Sequence, residues 1–185
     1  MNFSNKLTVS RMAVAPFFLF SLMTKKFLCA LFLFVFAVLT DFFDGKIARS
    51  TNQVTDFGKF LDPIADKVLT TMAFLYLLKV NVFDIVPVSI IFSREFMVSA
   101  VRLVACRRGL VLPAGFYGKV KTFFQMVSII FGISHLFLKD NFCLLGKKLS
   151  YILILSHVFL WVSILFSIIS CFKYFFVVRR SRVES

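Results

Sequence analysis

Asp41 and Asp44 stand three residues apart and Asp62 and Asp66 four apart, in a stretch from Thr40 to Lys67 holding five of the chain's nine acidic residues. On helices, spacings of three and four stack side chains on one face. Two helices joined by a short loop can then aim four carboxylates at one point. Left bare in a low dielectric, such charges repel, and some take up protons. Divalent cations remove the difficulty. All-oxygen donors select hard ions such as Mg2+, Mn2+ or Ca2+, and the absence of a nearby His or Cys in the sequence argues against zinc. Helix capping, or salt bridges to Lys46, Arg49, Lys59 and Lys67, would account for one aspartate at a helix end but not for two spaced pairs. Gly45, next to Asp44, lets a ligand lie against the helix backbone. Gly58 allows close approach of helices or substrate. Ala48 is small in the same way, and Arg49 can hold a phosphate.

A second group is basic. Arg94 and Arg102, with Glu95 between them, fall inside an apolar run, and Lys119 and Lys121 open the next one. Eight residues on a helix is about two turns, so the two arginines lie close to one face. If the two helices pack antiparallel, four cations surround a site beside the metals. Such a pocket suits a ligand that carries a phosphate.

Membrane helices must position these groups. The chain has 185 residues, 59% of them hydrophobic and 27 of them Phe, with a mean hydropathy of +0.90. A spanning helix needs about 20 apolar residues, and several stretches approach that length. The expected fold is an all-α integral membrane protein of six transmembrane helices, at about 8–23, 27–49, 59–79, 83–107, 118–138 and 149–177. These enclose a polar, metal-containing cavity open to the cytoplasm. Gly and Pro are sparse, so 1–185 reads as one domain with no linker and no internal repeat. The net charge of +13 is read as the excess of Lys and Arg on cytoplasmic loops, not as a nucleic-acid footprint. It places both termini and the acidic cluster on the cytoplasmic side. The segment before the first apolar run is expected to be a short surface segment leading into a retained span, since Lys25 and Lys26 replace a cleavage site. Cys29, Cys106, Cys143 and Cys171 are too scattered for a zinc site or a disulfide framework and read as free, mostly buried thiols.

At this point a resemblance carries the reading further. Asp41-Phe-Phe-Asp44-Gly45-Lys-Ile-Ala48-Arg49, then eight residues, then Gly58-Lys-Phe-Leu-Asp62-Pro-Ile-Ala-Asp66, resembles the signature of the CDP-alcohol phosphotransferases, with all eight fixed positions filled. The resemblance implies a six-helix membrane enzyme, usually a homodimer, that moves a phosphatidyl or similar group from a CDP-linked donor to an alcohol. It implies two divalent ions, Mg2+ or Mn2+, held by Asp41, Asp44 and Asp62. Asp66 would complete the shell and act as general base. Gly45, Ala48, Arg49 and Gly58 would form the CDP-lipid site, with membrane lipid around the acyl chains.

Three further pieces resemble the phosphatidylglycerophosphate synthase branch of that family. They are the opening pattern of Asn2, Asn5, Thr8 and Arg11, the segment SREFMVSAVR, and the segment GKVKTFFQM. By that resemblance Asn5 and Thr8 join the CDP-diacylglycerol site, and Arg94, Arg102, Lys119 and Lys121 bind the phosphate of sn-glycerol 3-phosphate. Ser4 stands where that branch commonly has Pro, which touches only the entry geometry of the segment. Phosphatidylglycerol and inositol phosphate stay open as acceptors within the family.

Two readings lie outside catalysis. A divalent-cation transporter would need acidic residues along a path through the bilayer, and here they lie near one face. A non-catalytic assembly partner would have a broken signature, and this one is intact. His135 and His157 are expected to be satisfied polar residues within helices.

Overall fold

Apolar runs of this length leave the backbone little choice, because lipid offers no partner for N–H and C=O groups and a helix satisfies them internally. The computed structural model of the chain describes residues 3–50, 56–107, 115–141 and 146–181, with side chains over 13–40, 67–101, 115–141 and 147–172. Six helices follow in order: α1 (Phe3–Met23), α2 (Phe27–Ser50), α3 (Asp56–Lys79), α4 (Ile85–Arg107), α5 (Phe116–Asn141) and α6 (Gly146–Ser181).

Every helix but α2 starts two to five residues from the sequence reading. The first helix begins at Phe3 rather than 8, and the third at Asp56 rather than 59. The polar opening of the chain is therefore helical from Phe3, and Gly58 lies in the first turn of α3. Hydropathy marks where a chain becomes apolar; helical hydrogen bonding continues past that point. Among the described residues, Phe116–Asn141 and Lys147–Phe172 are long and apolar enough to cross a membrane, while the apolar parts Ala13–Met23 and Phe27–Thr40 are shorter.

Two compact units are distinguished. One comprises Met1–Val82 and Ile129–Ile154. In it α1 packs on both α2 and α3. Ala15, Phe18 and Leu22 form the buried stripe of α1, and Phe27, Ala30, Phe34 and Ala37 that of α2. The Phe18 and Phe34 rings meet with centroids 5.7 Å apart. Alternating large and small residues at helical spacing let the two helices interlock. The turn between them is closed by backbone bonds from Lys25 N–H to Leu22 O and from Lys26 N–H to Ser21 O, with Lys25 at φ 58°. The same two-bond closure ends α3, where Asn81 has φ 56° and Val82 N–H reaches Leu77 O. A left-handed residue at that position satisfies the last carbonyls of a helix. Asn suits it better than Lys does.

The other unit comprises Phe83–Ser128 and Leu155–Ser185. Val88, Ile91 and Val98 of α4 are buried here. Phe124 of α5 stacks on Phe159 at 5.9 Å and on Phe166 at 5.7 Å. Ser128 Oγ donates to the Ser156 carbonyl at 2.9 Å. The helix α6 is inverted relative to a helix of a soluble protein. Its buried positions include Ser156, Ser163, Ser167 and Ser170, while Trp161, Leu165, Ile168, Ile169 and Phe172 are exposed. In water the apolar stripe faces the core. In lipid the outward face has no reason to be polar, and small residues mark where helices approach closely. Ser163→Leu is accordingly expected to overpack the α6 interface, at a cost of about 1–3 kcal/mol, seen as a lower thermal unfolding midpoint in detergent. Ser163 Oγ bonds within its own helix, to Leu160 O, so loss of the hydroxyl alone in Ser163→Ala should change little.

Cys29 and Cys171 are free, as expected, but Cys29 is exposed and Cys171 only half-buried. The exposure of Cys29 corrects the expectation of mostly buried thiols: it lies on the outward side of α2 with Leu28, Phe32, Phe36 and Leu39, so a thiol fits there as a small hydrophobe. Cys106 and Cys143 lie outside the described side chains.

Candidate active site

The acidic signature falls on the C-terminal part of α2 and the N-terminal part of α3, consecutive in the chain. The backbone of α2 is helical through Asp41, Asp44, Gly45, Ala48 and Arg49, and that of α3 through Gly58, Asp62 and Asp66. Helical backbone at both places turns the spacings of three and four into pairs separated by about one turn. Both helices pack on α1, whose first turns carry Asn5 and Thr8. The side chains of all these residues, and of Arg102 on α4, lie outside the described set. The donor set itself can be judged by its chemistry. Four carboxylates on two helices offer only oxygen, the donor that hard divalent cations prefer. Among the described side chains no group of three or more His, Cys, Asp or Glu gathers to compete with it.

The basic group is described in more detail. Lys121, on α5, is buried, only 2% exposed. Its Nζ donates to Glu95 Oε1 of α4 at 2.8 Å. Gln125, one turn further along α5 and also buried, donates Nε2 to the same oxygen at 3.3 Å. A buried ammonium without a counter-charge would be strongly destabilising, and this arrangement supplies one. Arg94 is half-buried, and its Nε donates to the Ser167 carbonyl of α6 at 3.2 Å. Lys119 is exposed.

Lys121 is thus tied to α4 and Arg94 to α6, while Lys119 stands on the outside of α5. Glu95 and Gln125 belong to this group, though neither was assigned a role from the sequence. Glu95 carried a signal, an acid next to Arg94 inside an apolar run. Gln125 carried only its position four residues after Lys121.

The histidines stand apart from this chemistry. Buried His135 places Nδ1 3.2 Å from Leu149 O, and the His157 ring packs edge-on against Phe83, with centroids 5.6 Å apart.

Comparison with known proteins adds an independent line. A family profile described as "CDP-alcohol phosphatidyltransferase" matches residues 1–169. Proteins called CDP-diacylglycerol–glycerol-3-phosphate 3-phosphatidyltransferase are similar over most of their length. One from Rickettsia felis is 40% identical over 179 residues, covering 94% of this chain and 93% of the relative. One from Rickettsia bellii is 37% identical with the same coverage. One from Bacillus subtilis is 34% identical, again covering 94% of this chain and 93% of the relative.

Proposed function

Since the chain belongs to the CDP-alcohol phosphatidyltransferase family, we propose that it transfers the phosphatidyl group of CDP-diacylglycerol to sn-glycerol 3-phosphate, giving phosphatidylglycerophosphate and CMP. The observation that carries this reading is similarity over more than nine-tenths of both chains to relatives called by that reaction, in both Rickettsia and Bacillus. It is a step of phospholipid biosynthesis.

In the proposed reaction the 1-hydroxyl oxygen of glycerol 3-phosphate attacks the β-phosphorus of the donor. The bond from that phosphorus to the bridging oxygen breaks, and CMP leaves with the electron pair. Asp66 takes the hydroxyl proton. Asp41, Asp44, Asp62 and Asp66 hold two divalent ions, Mg2+ or Mn2+, which when bound neutralise the pyrophosphate and stabilise the departing CMP. Gly45, Ala48, Arg49 and Gly58, with Asn5 and Thr8, hold the CDP moiety while the acyl chains stay in lipid. Arg94, Arg102, Lys119 and Lys121 bind the acceptor phosphate. In this reading six spans surround a polar cavity open to the cytoplasm of a multi-pass membrane protein, and two copies form a homodimer. The two long apolar helices and the family support placement in a membrane.

The test is an acceptor panel, using membranes containing the protein, labelled CDP-diacylglycerol and Mg2+ or Mn2+. CMP release with glycerol 3-phosphate, and none with phosphatidylglycerol or inositol phosphate, is the expected outcome. Release with phosphatidylglycerol alone would make the protein a cardiolipin-forming member of the same family.

A further inference from the structure

We propose that the lysine-rich end of the first unit, away from the acidic signature, is a binding surface for anionic lipid headgroups.

Topology brings six lysines to that end. Lys25 and Lys26 lie in the short turn that joins α1 to α2. Because α2 and α3 both pack on α1, α3 runs back toward that turn and ends at Lys79. Asp140, near the end of α5, lies within electrostatic reach of Tyr76, one turn before Lys79, and Lys139 is its neighbour in sequence. His135 of α5 meets the Leu149 carbonyl of α6, which brings Lys147 and Lys148 to the same end. All six lysines belong to one compact unit, and all six are exposed. Among the described residues none of them makes a side-chain hydrogen bond or ion pair, and Asp140 is the one acid of the unit at this end.

The fold itself does not ask for four of these charges. Lys79 and Lys139 lie in the last turns of α3 and α5, where the helix dipole favours a cation. Lys25 and Lys26 instead precede α2, and Lys147 and Lys148 stand in the first turn of α6, with no acid in either first turn. A cation there opposes the dipole. Lys25 also adopts φ 58°, a left-handed conformation that Gly or Asn takes at lower cost. Residues held against local preference point to function. In the proposed orientation this end faces away from the cytoplasm, where a membrane protein ordinarily carries few basic residues.

What these charges fit is an anion supplied from outside the chain, and their neighbours show at what depth. Exposed Met23 and Leu28 flank Lys25 and Lys26, and exposed Tyr151 follows Lys148. A lysine at such a border lays its stem along apolar surface and lifts its ammonium to the headgroups, the level at which tyrosine also settles. A zwitterionic headgroup brings a cation of its own, whereas an anionic one leaves its charge free for the lysines. The surface therefore selects lipids of net negative charge and holds them against both connections, α1–α2 and α5–α6.

The experiment titrates the full-length protein, in uncharged maltoside micelles, with dioleoylphosphatidylglycerol, dioleoylphosphatidylcholine or inorganic phosphate, and follows the unfolding midpoint. A ligand that binds the folded state raises that midpoint. The expected result is a rise with phosphatidylglycerol alone, suppressed by high salt. Each lysine near an anionic surface corresponds to about fivefold in partitioning. The fourfold variant Lys25→Gln, Lys26→Gln, Lys147→Gln, Lys148→Gln should therefore need about tenfold or more additional phosphatidylglycerol for the same rise, and exchange of the same four for Arg should not. An equal rise with phosphatidylcholine, or a rise with inorganic phosphate, would overturn the inference. So would a phosphatidylglycerol response that survives the four Gln substitutions. If that variant does not fold, Lys25→Gly decides. Its midpoint without lipid should not fall, since Gly relieves the left-handed conformation, while its response to phosphatidylglycerol weakens about fivefold. A lower midpoint without lipid, or an unchanged response, would show that Lys25 serves the fold and overturn the inference.

Discussion

Asp62→Asn is expected to abolish phosphatidyl transfer, with CMP release falling to the level of membranes lacking the protein. The substitution preserves size and exchanges a charged oxygen for an amide. In the proposed site that would lower the negative charge available to hold two divalent ions. Metal-assisted displacement depends on both ions being in place, so loss of one ligand acts on the whole rate. Binding of Mn2+, followed by electron paramagnetic resonance, should weaken in parallel. Because Asp62 lies on the helical backbone of α3, an exchange of Asp for Asn is not expected to break the helix, and the unfolding midpoint should hold. An Asp62→Asn protein that turns over normally would remove the metal assignment for the whole signature.

The second large effect belongs to Arg102. Truncation to alanine should raise the KM for glycerol 3-phosphate by one to two orders of magnitude, since a charge-assisted contact to phosphate contributes about 1.5–3 kcal/mol. The KM for CDP-diacylglycerol should move far less. Arg102→Lys should restore only part of the loss, because an ammonium cannot reproduce a two-pronged contact. Initial rates over a grid of both substrates separate the two constants. Equal rises in both would place Arg102 with the donor and redraw the acceptor pocket.

These residues differ in how far the sequence alone could reach them. The carboxylate pairs could be read directly, since a spacing of three or four has one meaning on a helix, and α2 and α3 are helical where the pairs fall. The number of helices was also legible, because long apolar runs can do little else. What escaped was anything that depends on the rotation of one helix against another. Lys121 and Glu95 are separated by 26 residues, and no periodicity within either segment says that they meet. The same holds for Arg94 and the Ser167 carbonyl, 73 residues apart. Lys119 and Lys121 looked equivalent as two basic residues at a helix start, yet one is exposed and the other buried. The beginning of α1 was hidden for a different reason: Asn5 and Thr8 lie in a segment too polar to register as a span, although it is helix from Phe3 onward.

The inward serines of α6 have a bearing on how the protein must be handled. A helix that keeps hydroxyls at its contacts and leucines at its periphery is not clamped shut by water. Its cohesion comes from close fit, and from the lack of anything outside that could hydrogen-bond with the serines. A small, well-hydrated detergent brings competing hydrogen-bond partners to that seam. A bulky, dry one does not. The order in which surfactants preserve this protein should therefore follow how well they keep water away from the bonds that Ser128 Oγ makes to the Ser156 carbonyl and Arg94 Nε to the Ser167 carbonyl, rather than how gently they disperse lipid.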